Sequence, residues 1–183
     1  MGALYLMTGL SGSGKTTFAK KFASENNLVY LCPDDFYKLF HDDGSAAGHR
    51  HEFDVWMALF RAIHIAEQDG KSVVVDTNAP TEVDRVQFLN WFPGFDRYIL
   101  IYIEADKELC RKNNLRRDRI VPDSEFEQMI KRFQPPFEEN IEIDERWDII
   151  IQYENKDNEL KIGCMSANKS EEYYEIMQSG NLK

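Results

Sequence analysis

Gly9-Leu10-Ser11-Gly12-Ser13-Gly14-Lys15-Thr16 fits the phosphate-binding pattern G-x-x-x-x-G-K-[ST] at every fixed position. The preceding residues, Ala3 to Thr8, are an apolar run of strand length. The following ones, Thr17 to Ser24, carry Phe18, Ala19, Phe22 and Ala23 at helical spacing. Strand, glycine turn and helix come in the order that phosphate binding needs. Glycines let successive backbone N–H groups turn inward on an anion, and the helix N-terminus adds the positive end of its dipole. In this pattern Gly9, Ser11, Gly12, Ser13, Gly14 and Thr17 surround the phosphates, Lys15 reaches the β and γ phosphates, and the Thr16 hydroxyl ligates Mg²⁺. The stretch therefore predicts a site for ATP with Mg²⁺. A glycine-rich turn with a surface lysine is the competing reading, and the strand and helix on either side weigh against it.

The chain has 183 residues, 43% hydrophobic and 30% charged, which suits one ordinary domain with a full core over 1–183. No apolar run reaches the ~20 residues of a membrane span, and the first residues lead into a strand without a signal-peptide pattern. Three cysteines, Cys32, Cys110 and Cys164, are odd in number and form no C-x-x-C pair, as expected of reduced thiols in a cytoplasmic protein. Twenty-two Lys and Arg stand against 32 Asp and Glu, a formal net charge of -10. Such a molecule repels a long polyanion, leaving room only for a local basic contact with nucleic acid.

Along the chain, strand and helix signals alternate, which predicts an α/β protein. Leu28 to Leu31 reads as a second strand ending in Cys32-Pro33-Asp34-Asp35, and His41 to Arg50 as a loop. Phe53, Trp56, Met57, Phe60 and Ile63 form a helical stripe that Asp69-Gly70 stops. Val73 to Val75 is a buried strand ending in Asp76-Thr77-Asn78, and Thr81 caps a helix from Glu82 to about Trp91. Tyr98 to Ile103 is a fourth strand, and Asp106 caps a helix to about Leu115, followed by Arg116, Arg117 and Arg119. Ser124 with Glu127 marks a further helix with an apolar face of Phe126, Met129, Ile130 and Phe133, ended by Pro135-Pro136. Trp147 to Ile151 is a fifth strand. Asn155 to Asn158 can turn the chain into a sixth at Leu160 and Ile162, and the tail from Ser170 has the pattern of a short helix.

These signals predict a three-layer P-loop fold, a mainly parallel five-stranded sheet with helices on both faces, a helical lid at about 111–135, and a hairpin and tail at about 153–183. Ligands of such sheets sit beyond the carboxyl ends of the strands. The phosphate loop, Asp34-Asp35 and Asp76-Thr77-Asn78 all follow strands and should converge there. A carboxylate in that position can accept a proton from an attacking hydroxyl or hold Mg²⁺ through water, which makes Asp34 and Asp76 candidates for either task. Asp34 and Asp35 as helix caps, and Asp76 as a strand-end hydrogen bonder, are the bland alternatives.

Gly9 to Thr17, Pro33-Asp34-Asp35-Phe36-Tyr37, Val75-Asp76-Thr77-Asn78 with Arg85, Lys112-Asn113 to Arg116, and Val121-Pro122 together resemble the kinase domain of bacteriophage polynucleotide kinase and its bacterial relatives. The resemblance covers residues 1 to 135. It implies a P-loop kinase that moves the γ-phosphoryl of ATP to a hydroxyl, the 5'-hydroxyl of a polynucleotide in the founding members. It further implies that Lys15 and Thr16 hold phosphates and metal, Asp34 is the general base, Arg116 is the lid arginine on the phosphates, and Asp76 organises the acceptor side. Asp35, Tyr37, Lys38 and Asn78 join Asp76 as acceptor-side candidates.

One position departs from the family. Polynucleotide kinases carry an arginine three residues after the first aspartate, where this chain has Tyr37 followed by Lys38. Lysine on a neighbouring position does not replace a bidentate phosphate grip. Related kinases act on metabolites, antibiotics, nucleotide sugars or aminoacyl-tRNA, so a small-molecule acceptor stands beside the 5'-hydroxyl of a nucleic acid. A nucleotide switch without an acceptor is a third possibility, disfavoured by the carboxylate pair and the arginines. Lys112 and Arg117 read as a solvated helix end. His41, His49 and His51 lack a cysteine or a helical i, i+4 pair and read as loop residues rather than metal ligands.

Overall fold

The computed structural model describes residues 2–40, 51–117, 120–137 and 146–167. In chain order the elements are β1 (Ala3–Thr8), α1 (Lys15–Asn26), β2 (Val29–Leu31), α2 (Pro33–Phe40), α3 (Glu52–Gln68), β3 (Val73–Val75), α4 (Glu82–Trp91), β4 (Arg97–Ala105), α5 (Lys107–Asn114), α6 (Asp123–Arg132), β5 (Ile149–Lys156) and β6 (Glu159–Ala167). They form a six-stranded sheet in the order β2-β3-β1-β4-β5-β6. The first five strands pair in parallel, and β6 adds an antiparallel edge to the five strands expected. Lys156 pairs with Glu159 across a two-residue turn in which Asp157 and Asn158 have φ of 55° and 67°, the twisted hairpin turn that Asn and Asp tolerate. The loop expected at His41 to Arg50, Arg119 and the tail from Ser170 lie outside the described residues.

Side-chain alternation along the strands builds two cores. Leu4, Leu6, Val73, Val75, Leu100 and Ile150 face Leu59, Ile63, Phe88 and Leu89 of α3 and α4. Ala3, Tyr5, Met7, Val74, Ile99, Ile101 and Ile151 face Ala19, Phe22 and Ala23 of α1. Central strands covered on both faces read as continuous apolar runs, which is why β1 and β3 could be recognised in the sequence. A third cluster lies over the phosphate loop, where Leu10 packs with Cys110 and Phe126, and Met129, Ile130 and Phe133 flank it.

Two local expectations are corrected. The stripe of α3 is Val55, Leu59, Ile63 and Ala66, while Phe53 is 76% and Met57 50% exposed. An aromatic-rich sequence hides this register because Trp56 and Phe60 are partly buried beside the stripe and appear to extend it. Ser124 and Glu127 do not form a capping box, since α6 starts after Pro122 with no side-chain cap and Glu127 is held by Arg111 of α5. The cap expected at Thr81 does form, and it is a full capping box with Asp84 as its reciprocal partner.

Leu59→Ala should cost about 2–5 kcal/mol, the usual range for emptying a fully buried leucine site. Met57→Ala should stay within about 0.5 kcal/mol, as exposed positions do. Urea unfolding of both variants checks the register; a larger loss at Met57 would reverse it.

Candidate active site

The phosphate loop is set by β1, buried along its whole length, which delivers Gly9 to the carboxyl edge of the sheet. Gly12 and Gly14 have φ of +81° and +102°, values that side-chain-bearing residues rarely adopt. At Gly12 a Cβ would also stand 2.2 Å from the carbonyl oxygen of Cys110, so α5 packs directly on loop backbone. Gly14 is the N-cap of α1 and makes no side-chain cap bond, and the first helical turn holds no acidic residue. No side chain of α1 thus competes for the amide groups at its N-terminus, which fits an external phosphate. Ser11 and Ser13 are buried, whereas Thr16 and Thr17 are exposed where a metal and phosphates would approach.

Lys15 is 6% exposed and donates from Nζ to the Leu10 carbonyl at 2.8 Å, folding the side chain back over its own loop. Burial pushes its ammonium down to about 8; the charge of Asp76 opposes this and that of Arg117 reinforces it. A lysine held this way is a compact cation with few water partners, ready to exchange a carbonyl for phosphate oxygens.

The other strand ends do converge on the loop. The Thr8 hydroxyl reaches the carbonyls of Asn78 and Ala79 at 3.0 and 2.9 Å, tying the segment after β3 to the end of β1. Asp76 is 4% exposed and accepts the Tyr30 hydroxyl at 2.9 Å. Asp34 and Asp35 lie in the first turn of α2, a helix that the sequence had given only as a possible sequel to β2. Asp35 pairs with Lys38 at 3.5 Å on the surface, and Tyr37 is half-buried on the same helix. Cys32, before them, is a buried thiol pushed up to about 12, first by burial and then by Asp76 and Asp34, so it stays protonated and unreactive.

Arg117, expected as part of a solvated helix end, is the arginine with contacts to the loop and α2. Arg116 is exposed at the end of α5, while Arg117 donates to the Ser11 hydroxyl and stands 3.4 Å from the Asp34 carboxylate. Arg117 thereby joins the phosphate loop to the carboxylate of α2. Two consecutive arginines after a helix leave their directions undetermined in the sequence, since one residue rotates the side chain by ~100°. Tyr30, Asn113 and Asn155 were also missed. Asn113 donates from Nδ2 to the Gly12 carbonyl at 3.0 Å, and Asn155 from Nδ2 to the Ser13 carbonyl at 2.7 Å. Asn113 lies in the Lys112-Asn113 to Arg116 stretch quoted for the resemblance but was given no role there; no motif marks Tyr30 or Asn155, and only the sheet order brings Asn155 beside residues 142 positions earlier.

Loop, sheet order and helical cover define a P-loop nucleotide-binding domain of the kinase type. The chain belongs to the AAA_33 family, whose AAA-domain model matches residues 4–136. The L-seryl-tRNA(Sec) kinase of Methanococcus maripaludis is 26% identical over 148 residues, covering 73% of this chain and 53% of that protein. The chain thus spans about half the length of this curated relative. Among solved structures, a chain of the Pnkp1/Rnl/Hen1 RNA repair complex superposes with a TM-score of 0.63 at 20% identity, over 72% of this chain and 43% of that one. A sugar kinase from Janibacter sp. HTCC2649 gives 0.58 at 18% identity, over 83% and 85%. These two show the same fold. Among the described residues, no helix is long and apolar enough to cross a membrane.

The lowered value at Lys15 makes nucleotide affinity pH-dependent. The free protein loses the Lys15 charge as pH rises through about 8, so Kd for Mg-ATP should be flat from pH 6.5 to 7.5 and rise above 8. For folding the sign is opposite: between about 8 and the unfolded value of 10.5 the unfolded chain holds more protons, and this group's contribution becomes more favourable with pH. Calorimetric titration across pH 6.5–9.5 checks the first statement, and a Lys15→Met variant that keeps the same rise would refute it.

Proposed function

We propose that the protein is an ATP-dependent phosphotransferase that moves the γ-phosphoryl of ATP to a hydroxyl borne by a short nucleic-acid end. The observation that carries the proposal is the bridge from Ser11 through Arg117 to Asp34, which puts a carboxylate within reach of a phosphate held on the loop. Mg-ATP brings the transferable phosphoryl group and the metal charge; the residues supply position, a proton acceptor and fixed cations. Lys15 and the loop amides bind the phosphates, with Gly9, Ser11, Gly12, Ser13, Gly14 and Thr17 shaping the cradle and Thr16 holding Mg²⁺. Asp34 accepts the proton of the acceptor hydroxyl. Asp76, held by Tyr30, would hold the metal through water or orient the acceptor together with Asn78. Arg117 steadies the charge on the transferred phosphoryl, taking the part that the resemblance assigned to Arg116, as the lid formed by α5 and α6 covers the loop.

The kinase on seryl-tRNA and the RNA repair complex support a hydroxyl carried by nucleic acid. Tyr37 and the Lys38–Asp35 pair leave α2 without the arginine that would grip an acceptor phosphate, and this favours contact with the terminal nucleotide alone. The same feature supports a second reading, a small-molecule acceptor such as a sugar.

Asp34→Asn should bind Mg-ATP near normally and lose about 100- to 10,000-fold in transfer, the span of general-base effects. Arg117→Ala should lose on the order of 1,000-fold and Arg116→Ala little; the reverse order would return the role to Arg116. Labelled ATP supplied with 5'-hydroxyl oligonucleotides of two lengths, nucleosides and sugars decides the acceptor. We expect label on both oligonucleotides with similar efficiency and a salt slope of roughly one or two, since each neutralised phosphate of a single strand adds about 0.7. Label entering sugars alone would establish the small-molecule reading, and label released only as phosphate would end the transferase proposal.

A further inference from the structure

A phosphate loop turns its amides inward, so its carbonyls turn outward and must find donors elsewhere. Two of them find asparagines from distant parts of the chain. Asn155, at the end of β5 and 5% exposed, donates to the Ser13 carbonyl at 2.7 Å. Asn113, in the last turn of α5, donates to the Gly12 carbonyl at 3.0 Å and to Oδ1 of Asn158, in the hairpin turn, at 2.9 Å. The fit is close on both sides. A Cβ on Gly14 would come within 2.9 Å of the Asn155 amide nitrogen, and one on Gly12 within 2.2 Å of the α5 backbone.

An orphan acceptor shows what Asn155 is there for. Among the described residues, the buried side-chain atoms without a hydrogen-bond partner are Oδ1 of Asn155 and Oγ of Ser13, both at this junction. A buried unpaired acceptor is costly, so an asparagine is kept here for what its other end does. The polar residue makes sense through its donor, and its donor meets the loop carbonyl.

We propose that Asn155 and Asn113 are positioning residues of the nucleotide site, fixing the Ser13 and Gly12 carbonyls outward so that the loop amides face the phosphates, and that the β5–β6 hairpin is thereby part of that site. The proposal rests on the nucleotide-binding reading above and extends it to a segment beyond residue 136, where the family match ends. Asn158 acts one step further out, by orienting the Asn113 amide.

The test uses Asn155→Leu, which removes the donor and the orphan acceptor while keeping the branched shape of the side chain. A purely structural residue would show a loss of affinity only in step with a loss of stability. A positioning residue separates the two: the variant removes one unpaired acceptor and leaves the Ser13 carbonyl as another, so we expect Tm close to wild type, Kd for Mg-ADP raised about tenfold by calorimetry, and KM for ATP raised with kcat changed less than threefold. Asn155→Asp, which keeps the shape and turns an acceptor toward Ser13, should raise Kd at least as much and serves if the leucine variant does not fold. Asn113→Ala should raise Kd by about five- to tenfold and Asn158→Ala by about twofold. Affinities within twofold of wild type for both Asn155 variants and Asn113→Ala, with wild type binding normally, would overturn this proposal alone. A wild-type protein that binds no Mg-ADP would overturn the nucleotide reading with it.

Discussion

A peptide loop that wraps an anion is polar on both sides, and this constraint organises the molecule. Amides that point at phosphate leave carbonyls pointing away, and each buried carbonyl needs a donor. Here the side-chain donors are Lys15 for Leu10, Asn113 for Gly12 and Asn155 for Ser13. They come from α1, α5 and β5 respectively, so the loop's shape depends on elements spread across most of the chain. The glycines have the complementary task. At Gly12 the absence of a side chain lets α5 approach, and at Gly14 it lets Asn155 approach, as well as allowing the positive φ angles.

The sheet order then divides the site. From β1, which ends in the phosphate loop, β3 and β2 lie on one side and β4 and β5 on the other. Carboxylates occupy the first side: Asp76 after β3, and Asp34 at the start of the helix after β2. Amide donors occupy the second, with Asn155 at the end of β5 and Asn113 on the helix after β4. The carboxylate side is braced from below. Tyr30 of β2 holds Asp76, and Thr8 of β1 holds the backbone of Asn78 and Ala79, a turn in which Ala79 takes a φ of 35°. Arg85 supports the same turn from α4 through the carbonyls of Ala79 and Pro80, and it also reaches Gln134 beyond α6 at 2.8 Å.

What the sequence disclosed followed from local rules. The loop could be read because its pattern fixes residue types at fixed spacing, and β1 and β3 because strands buried on both faces are unbroken apolar runs. The Thr81 cap and the Asp69-Gly70 stop were legible because their chemistry lies within a few residues; the amides of Gly70 and Lys71 take the Glu67 and Ala66 carbonyls, with Gly70 at φ +65°. Long-range matters were hidden. The register of α3 depends on which aromatic residues the sheet can cover, and the direction of the Arg117 side chain on where α5 stops. Ser124 and Glu127 satisfied a local rule, yet Arg111 from the neighbouring helix holds Glu127. Asn155 had no local signal at all, since a polar residue at a hairpin end is the commonest of surface features until the fold places it under a glycine.

Charge also has to be judged by distance. A net charge of -10 discourages a long polyanion from lying along the surface. At physiological salt the Debye length is about 8 Å, so charges spread over the exterior act weakly on a group a few ångströms from a guanidinium. Arg117 stands 3.4 Å from Asp34 and touches Ser11, with Lys15 buried beside them, and these local charges dominate the field where a phosphate would sit. The arginine also connects the two halves of the site. Ser11 belongs to the phosphate loop and Asp34 to α2, so in the proposed reaction a phosphate that drew Arg117 toward itself would loosen the guanidinium's hold on Asp34. Binding at the loop would in this way be felt by the carboxylate of α2, and the acidic exterior would restrict what approaches without setting what happens at the centre.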